Sequence, residues 1–313
     1  METLGSIGEA AALQRIFPRL PAASSQLLGP GDDAAVVATP DGRVVITTDM
    51  MIHGPDFRLA WSTPHDLGWK AAASNLSDVA AMGAVPTALV VALAAPTDTT
   101  VEFLESFADG LRDGCEAMAP GCGVVGGDLS VSGTLTIAVT AFGDLQGRPP
   151  VLRSGANVGD VVAVSGVLGA AAEGLALLFA LGAPDAATAA TLKQTHPAQV
   201  AAQLAPHPPI ADGRAAALAG ATAMIDLSDG LAIDARRIAA ASGVALDLHA
   251  TDAELDGGED HSLLATFPAS APLPGGFRVI GSVVAGEGVL ADGVPWARPS
   301  GWDPYEGWDG AAG

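Results

Sequence analysis

Five short acidic motifs carry the side chains best suited to chemistry: Gly31-Asp32-Asp33-Ala34, Thr47-Thr48-Asp49, Asn75-Leu76-Ser77-Asp78, Gly126-Gly127-Asp128 and Asp226-Leu227-Ser228-Asp229-Gly230. Each places an aspartate at the end of an expected element or beside glycine, where a carboxylate can face a cleft. Two bare carboxylates 4 Å apart repel by about 4 kcal/mol at an effective dielectric near 20. A cleft that gathered several of them would need counter-cations. Hard divalent ions with oxygen ligands answer that need, and Mg²⁺ divides its coordination between a few carboxylates and substrate phosphates. Taken singly, each motif also reads as a turn or a helix entry, because Asp beside Gly favours both. Their force is joint.

The elements that must position these motifs are legible in outline. Ser6 to Leu20 has apolar residues at helical spacing. Val44 to Asp49 is β-branched and ends in an acid, which predicts a buried strand with chemistry at its tip. Thr63-Pro64-His65-Asp66 opens a helix with Thr63 as N-cap, Pro64 in the first turn and Asp66 bonding back; it runs to about Met82 and stops at Gly83. On it, Lys70, Ser74 and Asp78 share one face, with Asn75 beside them. That polar stripe is either the wet side of an Ala-rich helix or a set of groups aimed into a cleft. Further strands are expected at Val85 to Ala94, Leu135 to Phe142, Val161 to Val164, Met224 to Leu227, Ala245 to Leu248 and Arg278 to Val284, with helices at Thr99 to Ala119, Gly169 to Leu181 and Leu231 to Ala241. The Pro- and Ala-rich stretch Ala183 to Pro209 reads as a helical excursion plus loop. Arg148 to Asp160 is rich in Pro, Gly and polar residues and marks a domain junction. The expected fold class is α+β (mixed α/β) in two domains, residues 1–148 and 149–313.

Several function classes drop out. Gly121-Cys122-Gly123-Val124-Val125-Gly126 matches the dinucleotide fingerprint, but that pattern must follow a strand and open a helix. Here an expected helix precedes it, and an acid and a strand follow. The chain has no phosphate-binding loop ending in Gly-Lys-Ser/Thr, no His-Glu-x-x-His and no Gly-x-Ser-x-Gly, which sets aside P-loop enzymes, zinc proteases and ordinary serine hydrolases. The 313 residues are 49% hydrophobic and 16% charged, enough for a substantial core. Thirty-five acids against 14 bases leave a net charge of −21, which repels nucleic acid and anionic membranes. Cys115 and Cys122 form neither a disulfide scaffold nor a zinc site. The N-terminal stretch carries Glu9, Arg15 and Arg19 without a continuous apolar segment, so no signal peptide is expected. No apolar run is long enough to span a bilayer. A soluble, cytoplasmic protein is the expectation.

In their order along the chain, these motifs resemble thiamine-monophosphate kinases, members of the superfamily of aminoimidazole ribonucleotide synthetase. The resemblance runs from Ile7-Gly8-Glu9 to Gly301-Trp302-Asp303. It is most specific at Asn75 to Gly83 and Ile225 to Gly230, supported by Gly31-Asp32-Asp33-Ala34, Arg153-Ser154-Gly155-Ala156 and Gly257-Gly258-Glu259-Asp260. It implies a two-domain fold whose N-terminal domain binds ATP and magnesium and forms the sheet of a homodimer. It further implies ATP as co-substrate, several Mg²⁺ ions and thiamine monophosphate as phosphoryl acceptor. Carried over by motif, Asp33, Thr47, Thr48, Asp49, Asp78, Asp128, Asp226 and Asp229 would hold magnesium, with Asp49, Asp78, Asp128 and Asp229 central to catalysis. Gly127, Asp128, Arg153 and Ser228 would contact ATP, and Glu259 and Trp302 the acceptor. Read from residue type alone, Arg153 is equally a surface arginine, and Trp302 either stacks on a pyrimidine or closes the core.

The chain departs from the family where the acceptor is met. Gly54-Pro55-Asp56-Phe57 stands in place of Gly-x-His-Phe, so Asp56 would meet the cationic thiazolium. Gly-Gly-Glu-Asp continues as His261-Ser262-Leu263 rather than Tyr-Glu-Leu, and Pro206-His207-Pro208-Pro209 is a weakened Pro- and Arg-containing stretch. An acceptor phosphate is already ionised and needs no strong base, so catalysis would rest on positioning and charge neutralisation. Direct in-line transfer is expected. The alternatives are a catalytically silent nucleotide- or metal-binding scaffold and a superfamily enzyme with another acceptor.

Overall fold

The computed structural model describes residues 2–7, 9–28, 36–180 and 186–297. Asp32, Asp33 and Trp302 therefore lie outside the described residues. In chain order the helices are α1 (Leu4–Ile7), α2 (Glu9–Ile16), α3 (Pro64–Ala81), α4 (Val101–Met118), α5 (Ala170–Ala180), α6 (Ala186–Thr195), α7 (Pro197–Leu204), α8 (Ile210–Leu218), α9 (Leu231–Ser242) and α10 (Asp252–Asp256). The strands are β1 (Gln26–Leu28), β2 (Val36–Val37), β3 (Val45–Ile52), β4 (Val85–Ala95), β5 (Gly123–Val131), β6 (Thr136–Asp144), β7 (Val161–Ser165), β8 (Ala223–Leu227), β9 (Ala245–Leu248), β10 (Ser262–Phe267), β11 (Phe277–Val284), β12 (Gly288–Ala291) and β13 (Val294–Pro295).

Two main sheets organise the chain. The first has the order β3-β6-β4-β5, the second β13-β12-β9-β11-β7-β10-β8. Most pairs are antiparallel, with β4·β5 and β9·β12 parallel, so the fold is mixed α/β, as the sequence predicts.

Helix α3 ties the two sheets together. Thr63 Oγ1 accepts from the Asp66 amide at 3.1 Å and Asp66 Oδ2 accepts from the Thr63 amide at 2.9 Å, satisfying two of the amide donors that a helix start leaves orphaned. The helix is capped by Met82, and Gly83 follows at φ +72°, a left-handed conformation that costs glycine little. Ala71, Ala72, Ala73, Leu76, Val79 and Ala80 are fully buried or nearly so. Small residues let α4 close in: a Cβ on Gly68 would lie 2.1 Å from the Phe107 carbonyl, and one on Gly110 2.1 Å from that of His65. A single apolar cluster then runs from α3, α4 and the first sheet into Met224, Leu263, Ala265 and Phe267 of the second. Alternate residues Ile225, Leu227 and Leu264 point the other way, into a core with Leu231, Ala235 and Ile238 of α9. That continuity places the C-terminal end of β8 beside the last turns of α3.

Some expectations are corrected. The strand at Val44 to Asp49 is β3, shifted to Val45–Ile52, and it is an edge strand rather than a buried one, with Ile46 57% and Met50 60% exposed. Asp49 accordingly sits in mid-strand, not at its tip. The Gly-rich run before Asp128 leads straight into β5, so Gly127 and Asp128 also lie inside a strand. Helix α4 precedes that run and no helix follows it, in keeping with its exclusion as a dinucleotide fingerprint.

Candidate active site

The acidic motifs from β3, α3 and β8 meet in one place. Thr47 Oγ1 donates to Asp78 Oδ2 at 2.7 Å, and the Asp49 amide donates to Asn75 Oδ1 at 3.2 Å, so β3 is pinned to α3 on its Asp49 side. Ser77 Oγ lies 3.1 Å from Asp226 Oδ2, which brings in the end of β8. His261 Nδ1 stands 3.4 Å from the same oxygen. The Ser228-Asp229-Gly230 turn packs on the Gly257 to Asp260 turn: the Glu259 amide donates to the Ser228 carbonyl at 2.7 Å and the His261 amide to that of Leu227 at 2.9 Å. Glycine is required there, since a Cβ on Gly258 would stand 2.8 Å from the Ser228 carbonyl oxygen. Glu259 and His261 both hold left-handed backbone, φ +64° and +52°, strain of the kind that concentrates at functional sites.

The charges feel each other. Burial pushes Asp78 up to about 7, and Asp226 and Asp49 add to the rise against the Thr47 hydrogen bond and His261. Asp49 is exposed as a residue, yet crowding by protein raises its carboxyl above the usual range; His261 opposes this, while Asp226, Asp229 and Asp56 reinforce it. Burial works against the His261 cation, but the hydrogen bond and charge of Asp226, with Glu259, leave the imidazole above its ordinary value. Asp229 is held by Arg237, whose Nη2 lies 2.5 Å from its Oδ2 while Nη1 reaches Asp234 Oδ1 at 2.5 Å. Asp234 is fully buried, and its Oδ2 accepts from the Asp229 amide at 3.1 Å and the Gly230 amide at 3.3 Å.

Beside this cluster lies a cavity of about 230 Å³ bordered by Asp56, Trp61, Lys70, Phe179, Gln203 and Glu259. Lys70 is buried and donates to Glu259 Oε2 at 3.0 Å and to the Gln203 carbonyl at 3.2 Å. Burial alone would raise Glu259, but the charge and hydrogen bond of Lys70 and the bond from Gln203 bring it below the usual carboxylate range. Asp56 Oδ2 accepts from the Ile52 amide at 2.7 Å, and burial raises its carboxyl. The stripe on α3 is therefore no wet face: Lys70 and Ser74 are buried. Ser74 itself bonds back to the Lys70 carbonyl within its own helix at 3.1 Å.

Not every residue expected at the site joins it. Thr48 faces the opposite side of β3 and donates to the Val139 carbonyl at 2.9 Å. Asp128 pairs in register with Ala92, which pairs with Ala138, which pairs with Met50. That is three strand spacings, roughly 14 Å, from the strand that carries Asp49. Arg153 is exposed in the loop after β6, and its carbonyl accepts from Ser242 Oγ at 3.1 Å. The sequence missed Arg237, Asp234, Gln203 and the role of His261. For Arg237 the available signal was its i+3 spacing from Asp234, one turn into the helix after Asp-Gly.

The donor set suits a hard divalent cation. Asp49, Asp78, Asp226, Thr47 and Ser77 present only oxygen, and the neighbouring carboxylates are charged against one another. Among the described residues no three His, Cys, Asp or Glu side chains form a ready cage around one ion.

Residues 31–145 match the family of AIR synthase related protein, N-terminal domain. That is the broad class of the fold. Thiamine-monophosphate kinase of Mycobacterium tuberculosis is 44% identical over 97% of this chain and 93% of its own. The crystal structure of thiamine-monophosphate kinase from Stenotrophomonas maltophilia superposes with a TM-score of 0.76 at 32% identity, over 90% of this chain and 96% of that one. AaThiL complexed with AMPPCP and TMP superposes with a TM-score of 0.74 at 33% identity, over 87% and 90%. The chain belongs to the thiamine-monophosphate kinase family, a family of kinases.

Proposed function

We propose that this chain transfers the γ-phosphoryl group of ATP to the phosphate of thiamine monophosphate, yielding thiamine diphosphate, by direct in-line transfer. The observation that carries the reading is the meeting of Asp49, Asp78, Asp226 and Asp229 beside a cavity that holds Asp56 and Glu259. Kinship with a protein that has been complexed with AMPPCP and TMP supports both substrates. Magnesium, when bound, would neutralise the phosphates and polarise the group in transfer. Asp49, Asp78, Asp226 and Asp229 would hold it, with Thr47 orienting Asp78 through its 2.7 Å bond. Asp33 would join the metal set and Ser228 would serve ATP; Thr48, Gly127, Asp128 and Arg153, which the family motifs also imply for metal or ATP, stand apart from this cluster, so the proposal does not rest on them. Asp56 and Glu259 meet the acceptor, together with Trp302. Residues 1–148 form the ATP- and metal-binding half and 149–313 complete the cleft. The exposed apolar side chains Ile46, Met50 and Ile52 on β3 fit a homodimer through the first half.

A coupled ADP assay with thiamine monophosphate, thiamine or no acceptor tests the reading. ADP should form only with the monophosphate; release indifferent to the acceptor defeats it. Recovery of a labelled phosphoprotein after incubation with labelled ATP would overturn the in-line step.

A further inference from the structure

Helix α7 falls in the low-complexity stretch that the motifs leave without a role, yet it brings Gln203 into the wall of the cavity. The residue is 4% exposed. Its Nε2 donates to Glu259 Oε2, and a carboxylate there can only accept, which fixes the orientation of the amide. Oε1 is then turned away from Glu259, buried and without a hydrogen-bond partner among the described residues. Lys70 Nζ donates to Glu259 Oε2 and the Gln203 backbone carbonyl rather than to this oxygen. A buried, unsatisfied amide oxygen is costly to keep. It is the kind of group that a binding site retains for its ligand.

The rest of the cavity specifies that ligand further. Trp61 and Phe179 meet edge to face with ring centroids 5.0 Å apart, and the Arg58 guanidinium lies 4.8 Å and 4.9 Å from their centroids, so this wall offers ring edges and a planar guanidinium against which a flat ring can stack. Asp56, Asp256 and Glu259 border the space against the cations Arg58 and Lys70, an excess of acid, and among the described residues Asp56 has no ion-pair partner while Glu259 is bonded to Lys70. A flat heteroaromatic with an N–H donor and a positive charge fits this lining. Adenine offers the donor but not the charge.

We propose that Gln203 is a specificity-determining residue whose Oε1 accepts a hydrogen bond from the ring amino group of the acceptor's aminopyrimidine. Asp56 answers the charge of the thiazolium. The inference rests on the acceptor proposed above.

Two probes separate the possibilities: thiamine monophosphate and its analogue with the ring amino group replaced by oxo. Calorimetric binding and turnover are measured for each on the wild-type protein and on Gln203→Met. The wild type should favour the amino acceptor by roughly 100-fold or more, because a site built around a hydrogen bond rejects the analogue that cannot make it. In Gln203→Met the preference should collapse to within about threefold, through a raised KM for the amino acceptor, with KM for ATP unchanged. An equal loss for both acceptors, a retained preference or a shift confined to ATP overturns the proposal. If Gln203→Met does not fold, equal binding of the two probes by the wild type overturns it alone. Selective binding of the amino probe without turnover would sustain this inference while defeating the phosphoryl-transfer reading.

Discussion

Asp78→Asn should stabilise the metal-free protein while abolishing its activity. Asp78 sits at about 7, against 3.8 for a free aspartate, because burial, Asp226 and Asp49 oppose its ionisation. Three units at about 1.4 kcal/mol each put the cost of the ionised group near 4 kcal/mol at and above neutral pH. Partial exposure and the retained Thr47 hydrogen bond to an Asn oxygen reduce the expected gain to about 2 kcal/mol. For a chain of this size that is a rise in midpoint of roughly 3 °C. The sign follows from linkage. A carboxyl raised in the folded state binds protons there that the unfolded chain has lost, so its penalty is absent below about pH 4. The penalty grows as the pH climbs to about 7 and is constant above. The advantage of Asp78→Asn in EDTA should therefore widen from pH 4 to 7 and then flatten. Thermal scans of both proteins in EDTA across that range, repeated with Mg²⁺ and AMPPCP, supply the measurement. Added ligand should raise the wild-type midpoint and leave the variant nearly unmoved, since only binding to the native state stabilises it. A lower midpoint for Asp78→Asn in EDTA, or an undiminished ligand shift, refutes the picture of mutually repelling carboxylates awaiting a cation.

Two further substitutions probe how the cluster is held. Arg237→Gln removes the guanidinium that bonds Asp229 and Asp234 together; the Mg²⁺ concentration for half-maximal activity should rise at least about tenfold, as when outer partners of metal ligands are lost. Arg237→Lys should restore only part of this, because an ammonium lacks the fork that reaches both carboxylates, and an unchanged Mg²⁺ requirement in Arg237→Gln would exclude the role. Gly258→Ala sets a methyl group 2.8 Å from the Ser228 carbonyl and 2.9 Å from the Asp229 carbonyl carbon. Turnover should fall about 100-fold, the scale of a misplacement near 1 Å, and wild-type rates would show that the two turns need not touch.

What the sequence disclosed and what it withheld divide along the range of the interactions concerned. Helix α3 was legible to within a residue because its start and stop are written in adjacent letters, Thr63-Pro64-His65-Asp66 and Gly83, and each acts through the local backbone. The polar stripe on that helix was legible too, but not its meaning. Lys70 is buried because Glu259, 189 positions away, accepts from it, and no local pattern encodes that partner. Strand β10 was overlooked for a related reason: Ser262–Phe267 is buried on both faces, so it lacks the alternation that marks a half-exposed strand. Glycine did the same to β5, whose Gly123, Gly126 and Gly127 weaken any strand signal while Gly127 admits the Val91 carbonyl to within 2.0 Å of where a Cβ would stand. Placing Asp128 in that strand sets it across the sheet from Asp49, a separation fixed by strand order alone. Residue type thus announces that carboxylates would call for a cation if they met. Which of them meet is decided by the packing of α3 between the two sheets, and Arg237, His261 and Gln203 become functional candidates only once that packing has brought them to Asp229, Asp226 and Glu259.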